Sequence, residues 1–405
     1  MRRMAPQLKI PAVFMRGGTS KGIFFHRRDL PADVAAWDAL FLAALGSPDP
    51  HGRQLDGMGG GISSLSKVVV IGPSSHPAAD VDYTFGQVEV GLPRVDYRSN
   101  CGNLSSAVGP FAVDEGLVRA AGDAALVRIH NTNTRKVIHA RFPLCEGRAA
   151  VDGDMALDGV AGTGAAVRLA FQEPGGANTG RLLPTGRVCE TLDVPGLGRL
   201  AASLVDASVA VVFVRAADLG LSGVELPDEL EADPALLERL EAVRGSAAVA
   251  MGLAASPQEA REHARSAPKV ALVAPPADAR LLSGSVLPGD AADLSVRMIS
   301  MGRPHRAVPL TGALCTAVAA RIPGTLVHAV TRPARDSAAE LRLGHPSGMA
   351  PLAASVAGSG DDWQAREVVV YRTARRLMEG AVLVPASRVP ATQTATQRAG
   401  GAGTS

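Results

Sequence analysis

The sequence predicts an α/β protein built from two related domains, and three observations carry that prediction. At 405 residues, of which 46% are hydrophobic and 20% charged, the chain is long enough to bury a large core and to form more than one domain. Apolar β-branched runs alternate with helical spacing along its length. One pattern also occurs twice: Cys101-Gly102-Asn103 leads a small-residue helix ending in Gly116-Leu117-Val118, and Thr311-Gly312-Ala313 leads another ending in Gly324-Thr325-Leu326-Val327. The Pro- and Gly-rich text from Leu183 to Gly198 marks the crossing, so the expected domains are 1–185 and 186–385. A tail over 386–405, rich in Thr, Ala, Gln and Gly, is expected to be disordered.

In chain order, the apolar run Ile10 to Met15 leads into Arg16-Gly17-Gly18-Thr19-Ser20-Lys21-Gly22 and resumes at Ile23-Phe24-Phe25, which spells strand, tight loop, strand. Val34, Trp37, Leu40, Phe41 and Leu45 recur at helical spacing, with Gly46 to end the helix and Pro48 to block its continuation. A glycine-rich loop from Asp56 to Lys67 runs into the strand Val68 to Ile71, so Lys67 falls at a loop-to-strand junction. Strands follow near Tyr83 to Val90 and Leu126 to His130, the latter pairing with Lys136 to Phe142 through the turn Asn131 to Thr134. In the second half, strands are expected around Val209 to Val214, Val270 to Val273, Val296 to Ile299 and Val368 to Tyr371. Asp233 before Pro234 caps one helix, and Ser256 with Glu259 gives a capping-box pattern for the next.

Composition excludes several classes of function. The 41 basic and 39 acidic residues are spread along the chain, so no basic block marks a nucleic-acid surface. No apolar run reaches the roughly 18 residues of a membrane span, and the stretch after Met1-Arg2-Arg3-Met4 is too polar for a signal peptide. A cytoplasmic enzyme is the expectation. Cys101, Cys145, Cys189 and Cys315 lie far apart, without CxxC pairs or histidines at zinc spacing, which argues against a metal site and a disulfide framework.

The two glycine-rich loops lack the GxxxxGK[ST] spacing of a phosphate loop, and a strand follows the second where a dinucleotide fold would place a helix. They suit either small-anion binding through exposed amides or plain tight turns. The basic residues split into 36 arginines and five lysines, Lys9, Lys21, Lys67, Lys136 and Lys269. Where arginine serves nearly every cationic position, a retained lysine raises the question of amine chemistry, because a desolvated lysine can lose its proton and arginine does not. Cys101 heads a helix, a position that favours a thiolate; a buried inert cysteine is the alternative. Small polar residues ahead of a helix N-terminus present free amides and a positive dipole end to a carboxylate. Two such termini would hold a di- or tricarboxylate.

Together these segments resemble the 2-methylaconitate cis–trans isomerase (PrpF) family of the methylcitrate cycle of propionate catabolism. The resemblance rests on Met15-Arg16-Gly17-Gly18-Thr19-Ser20-Lys21-Gly22, Asp56-Gly57-Met58-Gly59-Gly60, Ser66-Lys67, Asn100-Cys101-Gly102-Asn103-Leu104, Ser300-Met301-Gly302 and Gly344-His345-Pro346-Ser347-Gly348, and it spans nearly the whole chain. It implies a diaminopimelate epimerase-like fold, with two pseudo-symmetric domains that each wrap mixed strands around a central helix. It also implies a cofactor-independent isomerase of unsaturated tricarboxylates, with Lys67 and Cys101 catalytic. Substrate binding would fall to Arg16, Thr19, Ser20, Lys21, Ser66, Asn100, Gly102, Asn103, Lys269, Met301, His305 and Ser347. The implied partners are a small tricarboxylate, a second copy in a homodimer and an aconitase-like methylcitrate dehydratase. Racemases of that fold draw a cysteine from each half, whereas here only Cys101 stands in such a place, Cys315 falling inside the helix after Val308-Pro309-Leu310. Oxalomesaconate and methylitaconate isomerisation remain alternative activities, and a non-catalytic accessory of the dehydratase is a further one.

Overall fold

A computed structural model describes residues 7–98, 100–333, 340–360 and 362–389. The expected disordered tail therefore lies outside the described residues from 390 onward, while Ala386–Arg388 form a short 3₁₀ turn.

In the first half, β1 (Gln7–Gly17), β2 (Ser20–His26), β3 (Lys67–Pro73), β4 (Val81–Val88), β5 (Ala124–Asn131), β6 (Lys136–Cys145) and β7 (Ala166–Gln172) surround helix α2 (Gly102–Asp114), with α1 (Trp37–Leu45) outside. The second half begins with β8 (Glu190–Val194) and continues through β9 (Gly198–Ala207), β10 (Val209–Arg215), β11 (Lys269–Ala274), β12 (Leu294–Ser300), β13 (Leu341–His345), β14 (Gly348–Ser359) and the 24-residue β15 (Asp362–Pro385). Its longer helices are α3 (Pro234–Ala250), α4 (Pro257–His263) and the central α5 (Leu310–Ala320).

Strand pairing makes the relation between halves explicit. From β1 to β7 the successive pairs run antiparallel, parallel, antiparallel, parallel, antiparallel, antiparallel. From β9 to β15 the same series recurs. The repeat glimpsed at the two helix starts is thus a repeat of whole topology. β15 then returns to the first half, pairing residues 374–385 with β1 and 367–373 with β7. On that pairing we propose structural units of 7–172 with 362–385, and of 190–359. In that proposal the crossing covers residues 173–189, beside the Leu183 to Gly198 text that marks it in the sequence, because Glu190–Val194 pairs with β9.

Alternation along each strand sets what reaches the centre. Val69 and Ile71 of β3 pack in the core around α2, whereas Val68 and Val70 pack with Trp37 and Phe41 of α1. Phe24 of β2 meets Phe111 of α2 with ring centroids 5.7 Å apart, while its neighbour Phe25 stacks on Phe41 of α1. The predicted punctuation holds: Gly46 ends α1 at φ 77°, Asp233 accepts from the Leu236 amide, and Ser256 accepts from the Glu259 amide. Among the described residues no helix is long and apolar enough to cross a membrane.

Candidate functional site

The scarce lysines give the first coordinate. Lys67 and Lys269 are each the first residue of a strand, β3 and β11, and each of those strands pairs in parallel with the one before it. The two apolar continuations, Lys67-Val68-Val69-Val70-Ile71 and Lys269-Val270-Ala271-Leu272-Val273, match in pattern. Both side chains are buried, and each repels the other's charge across the junction between halves. Lys67 lies on the α2 face of β3; its Nζ donates to Gln87 Oε1 at 2.6 Å and stands 4.9 Å from the Phe85 ring centroid. Gln87 is held with its oxygen toward the lysine because its Nε2 donates to the Ser63 and Ser66 carbonyls.

Lys269 Nζ donates to Ser300 Oγ at 2.8 Å and to the Ser266 carbonyl. Burial, reinforced by Lys67, lowers its pKa to about 8 against the opposing pull of Asp96 and Cys101. A buried ammonium loses hydration and becomes easier to deprotonate. Asp96 stays ionised for the converse reason: burial would raise its pKa, but hydrogen bonds from Arg98 and the Arg98 charge bring it below the ordinary carboxyl value.

The start of α2 supplies the second coordinate. Cys101 is the N-cap residue and buried, with no capping bond from its thiol. Its carbonyl accepts from Tyr83 Oη and from the Ser105 amide. The second helix start faces it: a Cβ placed on Gly102 would come 2.9 Å from the Leu310 side chain at the head of α5. Asn103 ties three elements together, its Nδ2 donating to Thr19 Oγ1 at 3.0 Å and its Oδ1 accepting from Arg372 of β15 at 3.3 Å. Asn100 is buried behind the helix start, where its Oδ1 accepts from Ser105 and Asn131.

Two loops of the second half close the arrangement. His305 Nδ1 accepts the Ala307 amide and His345 Nδ1 accepts the Ser347 amide, so each ring presents its other nitrogen as an N–H donor. Both rings stay neutral at physiological pH. Burial, then Lys269 and Lys67, pushes His305 down to about 4; burial, then Arg297, Arg372 and His305, pushes His345 down to about 3. The resulting cluster combines two buried lysines, neutral imidazole donors and a helix N-terminus. It is suited to bind an anion with several carboxylates and to exchange a proton with it.

Lys67, Cys101, Gly102, Asn103, Thr19, Lys269 and His305 converge at this junction. The structure separates several of the other expected residues from it. Arg16 and Lys21 pair across β1 and β2 and project from the face opposite α2, Lys21 lying 5.8 Å over Phe14 and Arg16 bonding to Gly18 and Thr373. Ser20, buried and one residue away from Lys21, faces the helix instead. Ser66 is consumed by structure, its hydroxyl donating to the Val88 carbonyl and accepting from Gln54 Nε2. The glycine-rich loop before it is a packing device, because a Cβ at Gly57 or Gly59 would strike the end of α1 or the Gln54 amide. Ser347 Oγ donates to the Arg306 carbonyl and joins the two histidine loops. Met301 is the apex of the turn after β12, at φ 57°. Residues overlooked in the sequence are Gln87, Asp96, Ser300 and Arg372; only the register of β4 against β3, Lys67 opposite Gln87, would have exposed the first. A cavity of about 910 Å³ lies elsewhere, along α1 and the Ser47–Asp56 loop, and neither paired lysine lines it.

Comparison with known proteins agrees with this fold. The family model described as PrpF protein matches residues 7–385. The chain is 42% identical to the 3-methylitaconate isomerase of Eubacterium barkeri, over 95% of this chain and 100% of that one. It is also 42% identical to the 2-methyl-aconitate isomerase of Shewanella oneidensis, over 94% and 98%. Against the (4E)-oxalomesaconate Delta-isomerase of Novosphingobium the identity is 39%, over 92% and 97%. A solved structure of methylitaconate-delta-isomerase superposes with a TM-score of 0.80 at 42% identity, covering 94% of this chain and 97% of that one. A probable proline racemase from Agrobacterium radiobacter K84, 12% identical, superposes with a TM-score of 0.50 over 91% of each chain and shares the fold.

Proposed function

The chain belongs to the PrpF family and is an isomerase with the epimerase-like fold, and from that premise we propose that it interconverts the cis and trans forms of 2-methylaconitate by allylic proton transfer. The observation that carries this reading is the pair of buried lysines, Lys67 and Lys269, set beside the amino end of α2. A tricarboxylate offers several negative charges to such a pocket, whereas methylitaconate, a dicarboxylate, offers fewer. Identity to the 2-methyl-aconitate isomerases exceeds that to the oxalomesaconate enzyme, which favours the first tricarboxylate over the second.

In the proposed reaction the Lys67 amine takes a proton from the allylic carbon and becomes an ammonium. The electron pair spreads through the former double bond into a carboxylate as a dienolate. The bond, now single in character, rotates, and Lys67 returns the proton to the same carbon. Charge developing on the carboxylate is met by Lys269 and by the neutral His305 and His345 donors. No external electron carrier is needed, because nothing is oxidised or reduced overall. We further propose that the enzyme is cytoplasmic, forms a homodimer and acts on the product of an aconitase-like dehydratase.

Proton NMR of the purified protein in deuterated water, with 2-methylaconitate isomers, oxalomesaconate and methylitaconate in turn, tests the reading. Geometric isomerisation of 2-methylaconitate with deuterium entering the allylic position is expected to be the fastest event. Faster turnover of either other acid would reassign the substrate, and binding without exchange in any of them would leave an accessory protein.

A further inference from the structure

Among the described residues Arg372 is a cation without a counter-ion. It lies on β15, where Val368 and Val370 are buried in alternation with more exposed neighbours and Arg372, Thr373 and Ala374 are all buried, and its guanidinium reaches the second residue of α2. There Nε donates to Asn103 Oδ1 at 3.3 Å and Nη1 to the Tyr371 carbonyl at 2.8 Å, both neutral acceptors. Among the described residues no carboxylate pairs with it, and only 6% of the residue is exposed. Burial alone lowers its pKa, to about 10, with no acid to oppose the shift. The neighbouring His345, held neutral by burial and then by the charges of Arg297 and Arg372, adds another donor and no anion.

A buried charge left unpaired costs several kcal/mol, and nothing in the strand requires it. Val370, two residues earlier, fills the equivalent inward position with an apolar side chain. The cost is recovered when an anion arrives. We propose that the Arg372 guanidinium binds one carboxylate of the substrate, beside the amino end of α2, so that the ligand completes an ion pair the folded chain leaves open. Asn103 orients the guanidinium by accepting from Nε while its own amide is fixed on Thr19. Arg372 thereby brings β15 of the shared sheet into the site that Lys67 and Cys101 open from the first half.

This inference rests on the polycarboxylate reading above, and its test separates the two. Isothermal calorimetry with tricarballylate, a saturated tricarboxylate that cannot react, would be run on wild type, Arg372→Gln and Arg372→Lys, alongside thermal melts with and without ligand. Glutamine keeps an N–H donor for Asn103 but removes the charge. Arg372→Gln should weaken binding about a hundredfold or more, the order expected for breaking a buried ion pair, and should melt above wild type in the absence of ligand. Arg372→Lys should recover part of the affinity, since an ammonium restores the charge but not the two-pronged geometry. Unchanged binding in Arg372→Gln would overturn the assignment. So would a lower ligand-free melting temperature accompanied by lost binding, which would mark Arg372 as a structural tie. If wild type itself ignores tricarballylate and trans-aconitate, the polycarboxylate reading falls and this inference with it.

Discussion

The two halves agree in their strands and differ at their helix starts. Lys67 and Lys269 occupy matching places at the beginnings of β3 and β11, each beside a parallel neighbour. The residues heading the central helices do not match: Cys101-Gly102-Asn103 caps and begins α2, and Pro309-Leu310-Thr311 caps and begins α5. Cys315 lies inside α5, fully buried, with its thiol on the Val205 carbonyl and its pKa pushed well up by burial. A two-thiol exchange would need both helix starts to present sulfur. Here symmetry is kept by amines and broken at the caps, which points to amine chemistry with a single auxiliary thiol.

The harshest way to break that comparison is to disable the first-half lysine. Lys67→Arg keeps a positive charge beside Gln87 but cannot release a proton, so isomerisation and solvent-deuterium exchange should fall by about 10²–10⁴-fold while ligand binding persists. Single-turnover NMR with calorimetry on the same preparation measures both. An active Lys67→Arg together with a dead Cys101→Ser would transfer the base role to the cysteine.

The second-half lysine should matter less to the chemistry and more to the pH dependence. Lys269→Met is expected to lower kcat by about 10²-fold, the scale of one lost charge-stabilising donor. Its folded pKa of about 8 lies below its ordinary 10.5. Between those values the unfolded chain holds a proton that the folded chain has released, so stability rises with pH across that window. Below pH 8 both states are charged and the whole cost of burial is felt, up to about 3 kcal/mol at 1.36 kcal/mol per pKa unit. Lys269→Met should therefore melt above wild type near pH 7, with the gap closing towards pH 10. A gap that widens with pH would show that Lys269 is stabilised as an ammonium.

Much of this comparison was legible in the sequence. Arginine's dominance made Lys67 conspicuous, and the repeated helix starts announced two halves. The site was less legible because strand alternation is invisible until register is known. Arg16 and Lys21 share one of the motifs that carry the resemblance yet share the face away from α2, since one residue along a strand reverses the direction of a side chain. Ser66 looked like a ligand-binding hydroxyl, but its partner Gln54 lies 12 residues away in a loop that only folding brings back. Arg372 could not be distinguished from 35 other arginines, because what sets it apart is the lack of a neighbouring acid among the described residues.

At the caps the expected effects are smaller. Cys101→Ser should cost less than about tenfold in kcat, since serine is a good N-cap residue and the backbone amides of α2 are unchanged. Cys315→Ser should leave kcat alone while lowering stability, because the thiol sits in the apolar heart of the second half. Steady-state rates and melts of the two variants sharpen the asymmetry: equal kinetic losses would mean that both halves use sulfur after all.

The smallest effect is expected from Lys21→Ala. Lys21 and Ser20 are adjacent, and only one of them can face α2. Gly22 settles which, because a Cβ there would come 2.7 Å from the Lys67 carbonyl oxygen and 3.2 Å from Leu104 Cδ1 of α2. Ser20 shares that face with Gly22, and Lys21 takes the other, where its cross-strand neighbour is Arg16 and its ammonium rests over Phe14. Arg375 lies opposite Arg16 on β15 and depresses its pKa after burial has done so. Lys21 therefore adds a third cation to a like-charged group, and its removal should relieve repulsion worth less than about 1 kcal/mol at such a part-exposed site. Calorimetry with tricarballylate should give wild-type affinity for Lys21→Ala, and melts at low salt should show a slight gain that fades as ionic strength rises. A tenfold loss of affinity would put Lys21 in the pocket and would mean that β2 runs one residue out of the register described here.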